Sequence, residues 1–326
     1  MENITQERMR KIISALNSIP SFANLSEGEK EEKVIRLLTP QYMDLRCDWA
    51  FKHVFRNLDL LKLLLEDLLP EENILKVEHL PNEMDRVRPD DKNIIMDVLC
   101  KTRDGREFIV EMQQKKKQTF KNRMFYYGSS MVYSQLRNNG QSNDYGRLMP
   151  VFVICFMAHT LRHETEQLAY RYVMREETSG EKYGKQLTII LCELPRLKKK
   201  TTEDLTPMEH WFYILANLIN FAGNPEDLGD RYAAVLEAAR IIHLPEHELL
   251  NYMNAMVSEE EKKDIGAAYY EDGHEDGLKE GLRIGLEQGL QQKAKIIAKA
   301  LMEKDMKPAD IAEVTGLSEE ELQGLV

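Results

Sequence analysis

The chain has 326 residues, 43% of them hydrophobic and 30% charged, with a formal net charge of −11. That is enough chain for one sizeable core or two smaller ones, in an ordinary globular composition. The negative total excludes a protein that coats nucleic acid with its whole surface, because phosphate binding needs positive potential where contact is made.

The polar start, MENITQERMRKI, lacks the apolar stretch of a signal peptide, and the longest apolar run, residues 149–158, is too short to span a bilayer. Cys47, Cys100, Cys155 and Cys192 form no close pair of metal-ligand spacing and read as reduced thiols. These features point to the cytoplasm and away from a membrane.

Residues 1–41 contain an amphipathic stretch, residues 9–19, then Pro20 and an acidic-basic run ending at Pro40; they read as a loosely held helical arm. From Tyr42 the apolar positions Leu45, Trp49, Phe51, Val54 and Phe55, then LDLLKLLLEDLL, recur at helical spacing and stop at Pro70. This predicts two helices joined near Asn57.

The period then changes. ILKVEHL, NIIMDVLCK and REFIVEMQ, residues 74–80, 93–101 and 106–113, read as three strands, and Asp104-Gly105 predicts a two-residue hairpin turn between the last two. After Gln118 a helix is expected to Arg137, on Phe120, Met124, Tyr127, Met131 and Leu136. MPVFVICFM and KQLTIILCEL read as buried strands. From Glu203 the pattern is helical, with breaks at Gly223-Asn224-Pro225, Leu244-Pro245 and Ser258. Glycine recurs at every fourth residue through Gly273, Gly277, Gly281, Gly285 and Gly289, and Leu278, Leu282, Leu286 and Leu290 directly follow the last four, an internal repeat.

Charge is unevenly placed. Lys115, Lys116, Lys117, Lys121, Arg123, Arg137 and Arg147 face only Asp144 as counter-charge in residues 115–147, whereas residues 259–291 are strongly acidic. A polyanion would meet the middle of the chain, although a charge run is equally a solvated face.

Two carboxylates interrupt apolar strands. Asp97 lies within IIMDVL and Glu111 within IVEMQ, and antiparallel pairing across the hairpin brings them to the same end of a sheet. Buried there unpaired they would be costly and would repel each other unless a cation joins them. Magnesium or manganese, held by carboxylates, a backbone carbonyl and water, suits such hard oxygen donors. Gln113, two residues on, projects from the same face as Glu111. The competing reading is an edge-strand pair facing water or satisfied by basic neighbours.

The runs DWAFKHVF, LLKLLLEDLLP, NIIMDVLCKTRDGREFIVEMQ, FKNRMFYYGSSMVYSQL and LMPVFVICF resemble the PD-(D/E)XK nuclease family transposases, also called recombination-promoting nucleases, over about residues 42–160. The glycine repeat followed by ADIAEVTGLSEEEL is similar to the C-terminal part common in that family. The resemblance implies an α/β fold with a restriction-endonuclease-like core of order α-β-β-β-α-β and a mixed sheet, followed by a helical C-terminal region. It makes Asp97, Glu111 and Gln113 the catalytic set and Asp48, Asp97 and Glu111 the metal ligands; Asp44 competes with Asp48, since either is placed to cap a helix. Gln113 stands where the wider superfamily has lysine, which removes a cation that would orient the attacking water. The implied activity is Mg²⁺- or Mn²⁺-dependent hydrolysis of DNA phosphodiesters, leaving a 5′-phosphate and a 3′-hydroxyl.

DNA contacts are expected from Lys115, Lys117, Lys121, Arg123 and Gln135, while each of Tyr126, Tyr127 and Tyr133 taken singly reads as core. Residues 308–325 have helix-turn-helix spacing with Ser318 as a cap, but Glu319, Glu320 and Glu321 would repel phosphate, so the segment reads as structural or oligomeric. Five helical glycines cost roughly 0.8–1 kcal/mol each relative to alanine, which close packing in a homo-oligomer would offset; a linker is the plainer reading. His159 and His163 read as surface residues, and no phosphate-cradling loop implies a nucleotide.

The expected organisation is an arm (1–41), a nuclease-like domain (42–200), a helical subdomain (201–265) and a glycine-repeat tail (266–326). The expected function is a cytoplasmic DNA endonuclease of recombination or transposition. A catalytically silent DNA- or protein-binding relative, and a phage-defence or toxin nuclease of the same chemistry, are the alternatives.

Overall fold

The computed structural model describes residues 6–81, 83–84, 94–116, 119–137, 145–161, 165–199, 201–223, 225–303 and 306–324. Its contacts divide the chain into two units, Met1–Glu259 and Glu260–Val326.

The first unit opens with helices α1 (Gln6–Leu16), α2 (Pro20–Ala23) and α3 (Glu27–Leu38), the last started by a capping box between Ser26 and Glu29. The arm is not loosely held. Ile12, Leu16 and Phe22 are buried in the same cluster as Phe51 and Phe55, so apolar burial fastens it to the rest of the unit. Residues 201–259 lie in this unit too.

Helix α4 (Asp48–Phe55) begins six residues later than the apolar spacing suggests, because the preceding residues run extended: Tyr42 bridges Arg240 and Met43 N–H donates to Ala239. Asn57 caps α5 (Leu58–Leu68), accepting from the amides of Asp59 and Leu60.

Strand β1 (Val77–His79) follows, then a small antiparallel pair, β2 (Glu83–Met84) and β3 (Ile94–Ile95), then β4 (Val98–Thr102) and β5 (Glu107–Gln113). The hairpin turn is wider than two residues: Thr102 N–H donates to Arg106, and Gly105 takes a φ of 92°, which glycine tolerates. Helix α6 (Phe120–Arg137) leads to β6 (Val151–Met157), then β7 (Ala169–Val173) and β8 (Leu187–Glu193). Strand β7, AYRYV, was not expected; its exposed Arg171 and Tyr172 dilute the apolar signal.

The six-stranded sheet has the order β1-β4-β5-β6-β8-β7. β1, β4 and β5 pair antiparallel, β5-β6 and β6-β8 parallel, and β7-β8 antiparallel. The sheet is therefore mixed, and α5, β1, β4, β5, α6, β6 realise the order α-β-β-β-α-β.

Alternation along the strands divides the core. Phe108, Val110, Phe152, Ile154 and Phe156 face α4, α5 and α7 (Pro207–Asn217), whereas Ile109, Val151, Val153 and Cys155 face Phe120, Met124 and Met131 of α6. Asp67 of α5 ties this layer together, accepting from Trp211 Nε1, the Tyr232 hydroxyl and Arg231. Helix α8 (Ala233–Ala239) completes it.

Helix α9 runs Glu246–Met302 without interruption, so Ser258 does not end a helix and the glycine repeat is helical. Its part up to Glu259 belongs to the first unit. In the second unit α10 (Pro308–Thr315) and α11 (Glu319–Gln323) join at Gly316, φ 73°, with Ser318 capping α11 as expected. Ala298, Ile311, Leu317 and Leu322 form the core of that unit. Among the described residues, no helix is long and apolar enough to cross a membrane.

Candidate active site

The site is built where β4 fails to continue. Val98 pairs with Val110, so the next pair inward would be Asp97 with Glu111. Instead of a backbone ladder, side chains close the gap: Asp97 N–H donates to Glu111 Oε1 at 3.1 Å, and Met112 N–H donates to Asp97 Oδ2 at 2.9 Å. The expected strand from Asn93 to Lys101 is thus broken at Asp97, between β3 and β4.

Both carboxylates are buried, Asp97 at 8% and Glu111 at 4% exposure. Burial pushes the Glu111 carboxyl up to about 7, against the Asp97 amide and the charges of Arg123 and Lys52, which lower it. Asp97 is raised well above the usual carboxylate range by burial, then by the charge of Glu111 and by a hydrogen bond and charge from Asp48, with Lys52 opposing. For the pair the direction is upward, because two acids share a dry space with few cations.

Helix α4 supplies one of those cations. Lys52 Nζ lies 3.0 Å from Asp97 Oδ1 and 2.9 Å from Asp48 Oδ2, one turn back on its own helix. Burial disfavours its charge, but Asp97 and Asp48 outweigh this and hold Lys52 protonated. Asp44 and Asp48 differ in their surroundings: Asp44 is engaged by Arg46 through Nε and Nη2, each at 2.8 Å, while Asp48 reaches Asp97.

Gln113 stands on the Glu111 face of β5. Its Nε2 donates to the Lys115 carbonyl at 2.7 Å, and its Oε1 accepts from Arg123 Nη2. Arg123 also lies over the Tyr127 ring, 5.8 Å from its centroid, and its buried Nε has no hydrogen-bond partner. Tyr127 is half-buried, and its hydroxyl is raised by burial and then by Glu111.

The other expected DNA contacts divide. Lys121 is exposed, with Nζ 5.7 Å from the Tyr172 ring centroid, and Lys115 is half-buried beside Gln113. Lys117 lies outside the described residues. Gln135 is not offered to a phosphate: its Nε2 donates to Glu107 Oε2 and the Met149 carbonyl, and its Oε1 accepts from Met149 N–H. The amide is fully used in fastening α6 to the other end of β5. Nor is His159 a surface residue. It is half-buried, 3.3 Å from the Gln114 carbonyl, with its Nε2 buried and unpartnered, while His163 lies outside the described residues.

Three residues of the site were not expected: Lys52, Gln114 and Glu259. Glu259 of α9 accepts from Asp48 N–H at 3.1 Å and from Gln114 Nε2 at 2.6 Å, so it links the start of α4 to the residue after Gln113. Lys52 has a faint sequence signal, an Asp48–Lys52 pair at helical spacing. Glu259, inside an acidic run, has none.

Among the described residues, no three His, Cys, Asp or Glu side chains form a cage for an ion. The donor set nonetheless fits a hard divalent cation. Magnesium is commonly held by only one or two carboxylates, with water and substrate phosphate completing its shell. Asp97 and Glu111 supply two such carboxylates side by side, both pushed upward first of all by burial.

A family model described as PD-(D/E)XK nuclease family transposase matches residues 45–267. The chain belongs to this family. Its mixed sheet with flanking helices is accordingly the restriction-endonuclease-like fold of PD-(D/E)XK proteins, followed by a helical C-terminal region. Family membership supports a nuclease- or transposase-related function with DNA as substrate, and PD-(D/E)XK nucleases generally use divalent metal ions. No curated protein and no solved structure matches the chain.

Proposed function

We propose that the protein is a metal-dependent DNA endonuclease that hydrolyses phosphodiester bonds in recombination or mobile-element transposition. The observation that carries this reading is the convergence of Asp97 and Glu111, two buried acids bonded through each other's strands, under Lys52 and Arg123.

Asp97 and Glu111 would hold Mg²⁺ or Mn²⁺, with Asp48 aligning Lys52 at the rim. When bound, the ion would lower the pKa of a water and neutralise charge on phosphoryl oxygens. Lys52 keeps Asp97 toward its ionised form and places an ammonium where the attacked phosphate gathers charge. Arg123 orients the Gln113 carboxamide and brings its guanidinium charge close to Glu111. In this way α4 and α6 supply the cations that Gln113 does not. Lys115 and Lys121 extend the positive track for the DNA backbone, and cleavage leaves a 5′-phosphate and a 3′-hydroxyl.

A cytoplasmic homo-oligomer joined through the glycine-repeat helix is part of the proposal, supported by the four-residue period of Gly273 to Gly289. Replacing Gly277, Gly281 and Gly285 with leucine should then lower the mass measured by light scattering.

The deciding experiment is incubation of supercoiled plasmid with the purified protein and Mg²⁺, Mn²⁺ or EDTA. Nicking that requires metal and is lost in Asp97→Ala and Glu111→Ala supports the reading. Absence of nicking with either metal would make the chain a DNA-binding relative without catalysis.

A further inference from the structure

The outer face of α6 carries large rings that the core does not use. Phe125, Tyr126 and Tyr133 are 57%, 55% and 57% exposed, although sequence spacing suggested that such tyrosines would be buried. Phe125 and Tyr126 lie two turns before Tyr133, so the three share one side of the helix at roughly 11 Å spacing. Lys121, one turn before Phe125, reaches Tyr172 on β7, itself 40% exposed, and carries the surface onto the sheet edge.

This face is continuous with the site. Arg123 and Tyr127, which border Gln113 and Glu111, project from the adjoining side of the same helix. The helix, FKNRMFYYGSSMVYSQLR, holds Lys121, Arg123 and Arg137 and no acid. A second copy docking symmetrically through the same face would set this cationic helix against itself. A nucleic-acid backbone would complement it. Duplex DNA hides its base faces in its own stack, whereas an unpaired strand offers each base to an exposed ring, with cations alongside for phosphates.

We propose that Phe125, Tyr126 and Tyr133 form a stacking platform for an unpaired DNA strand, so that the substrate is DNA with single-stranded character beside the cleavage point. The inference rests on reading Asp97 and Glu111 as a phosphodiester-cleaving centre. Tyr172 and Lys121 would flank the strand where it passes β7.

The test is fluorescence anisotropy of the full-length protein in EDTA, which separates binding from cleavage. The probes are a labelled oligothymidylate of about twenty nucleotides and a duplex of equal length. Wild type should bind the single strand more tightly than the duplex. Each lost stacking partner costs on the order of tenfold, so the combined Phe125→Ala, Tyr126→Ala and Tyr133→Ala variant should lose a hundredfold or more (~) for the single strand and little for the duplex. Circular dichroism and the melting temperature should be unchanged, since these rings are exposed. Equal loss on both probes, or unaltered oligothymidylate binding, would overturn the platform. A drop in light-scattering mass in the variant would also overturn it, by assigning the face to a second copy. Plasmid nicking by wild type is read separately, so failure of the cleavage centre is distinguishable from failure of the platform.

Discussion

The backbone amide of Asp97 donates a 3.1 Å hydrogen bond to Oε1 of Glu111, a residue 14 positions further along the chain. That bond favours ionised Glu111, yet burial outweighs it, and the carboxyl rests at about 7 rather than 4.5. The pair is thereby strained by its own charge at neutral pH.

A stability-pH profile should show this. With its folded pKa raised, Glu111 contributes stability that is fully present below 4.5 and lost as pH rises through about 7. In EDTA, Glu111→Gln, which keeps an acceptor for the Asp97 amide, should melt higher than wild type at pH 8 and equally at pH 4. The gain is at most about 3 kcal/mol, and metal-dependent nicking should vanish. No stabilisation at pH 8 would mean that Glu111 is not charge-strained.

Lys52 is the next test, because its ammonium lies within 3.0 Å of both Asp48 and Asp97. Lys52→Met should reduce nicking by about a hundredfold, the scale of losing one well-placed electrostatic donor. It should also move the acid limb of the pH-rate profile upward, since Asp97 loses the cation that favours its ionised form. Lys52→Arg should recover part of the rate. A profile that stays in place would reduce Lys52 to a structural ion pair.

The acidic pair was legible because a carboxylate inside IIMDVL or IVEMQ contradicts its strand, and a glycine hairpin between them fixes their proximity. Most strands and the helices α4, α5 and α6 were legible by the same periodicity. Lys52 and Glu259 were not. Lys52 is 45 residues before Asp97 and Glu259 is 145 after Gln114, and only tertiary packing brings them together. Tyr126 and Tyr133 were misread for a related reason, while Tyr127 does pack against the core: helical spacing gives a stripe, but only the sheet beneath shows that Met124 and Met131 fill it and that Tyr126 and Tyr133 are left outside.

Gly128 sets how closely α6 can lie on the sheet. A Cβ there would stand 2.4 Å from Leu187 Cδ1 and 2.9 Å from Val153 Cγ2. Alanine normally improves a helix by about 1 kcal/mol over glycine, but overpacking costs about 1–3 kcal/mol and should win here. Gly128→Ala should therefore unfold at lower urea than wild type. Nicking should fall as well, because Arg123 and Tyr127 ride on the displaced helix. A stabilised variant would show that the helix can shift without cost.

Glu259 joins the long helix to the site. Cys47, the residue at the N-cap of α4, makes no side-chain capping bond, and the carboxylate of Glu259 takes that role by accepting from Asp48 N–H. Its second oxygen holds Gln114 Nε2 at 2.6 Å, and the same Nε2 donates to the Arg46 carbonyl at 2.8 Å. One side chain thus sets the start of the helix that bears Asp48 and Lys52 and the end of the strand that bears Glu111 and Gln113. Loss of a cap costs about 1 kcal/mol, so Glu259→Ala should lower stability modestly. Glu259→Gln can still accept from Asp48 N–H, and its amide then opposes the Gln114 amide; it should keep most of the stability and lose nicking. If Glu259 positions the site, both variants should lower kcat with KM for DNA unchanged, because Lys121 and Arg123 of α6 are untouched. A rise in KM with kcat preserved would instead make Glu259 part of the DNA-binding surface, and an effect on stability alone would leave it a cap.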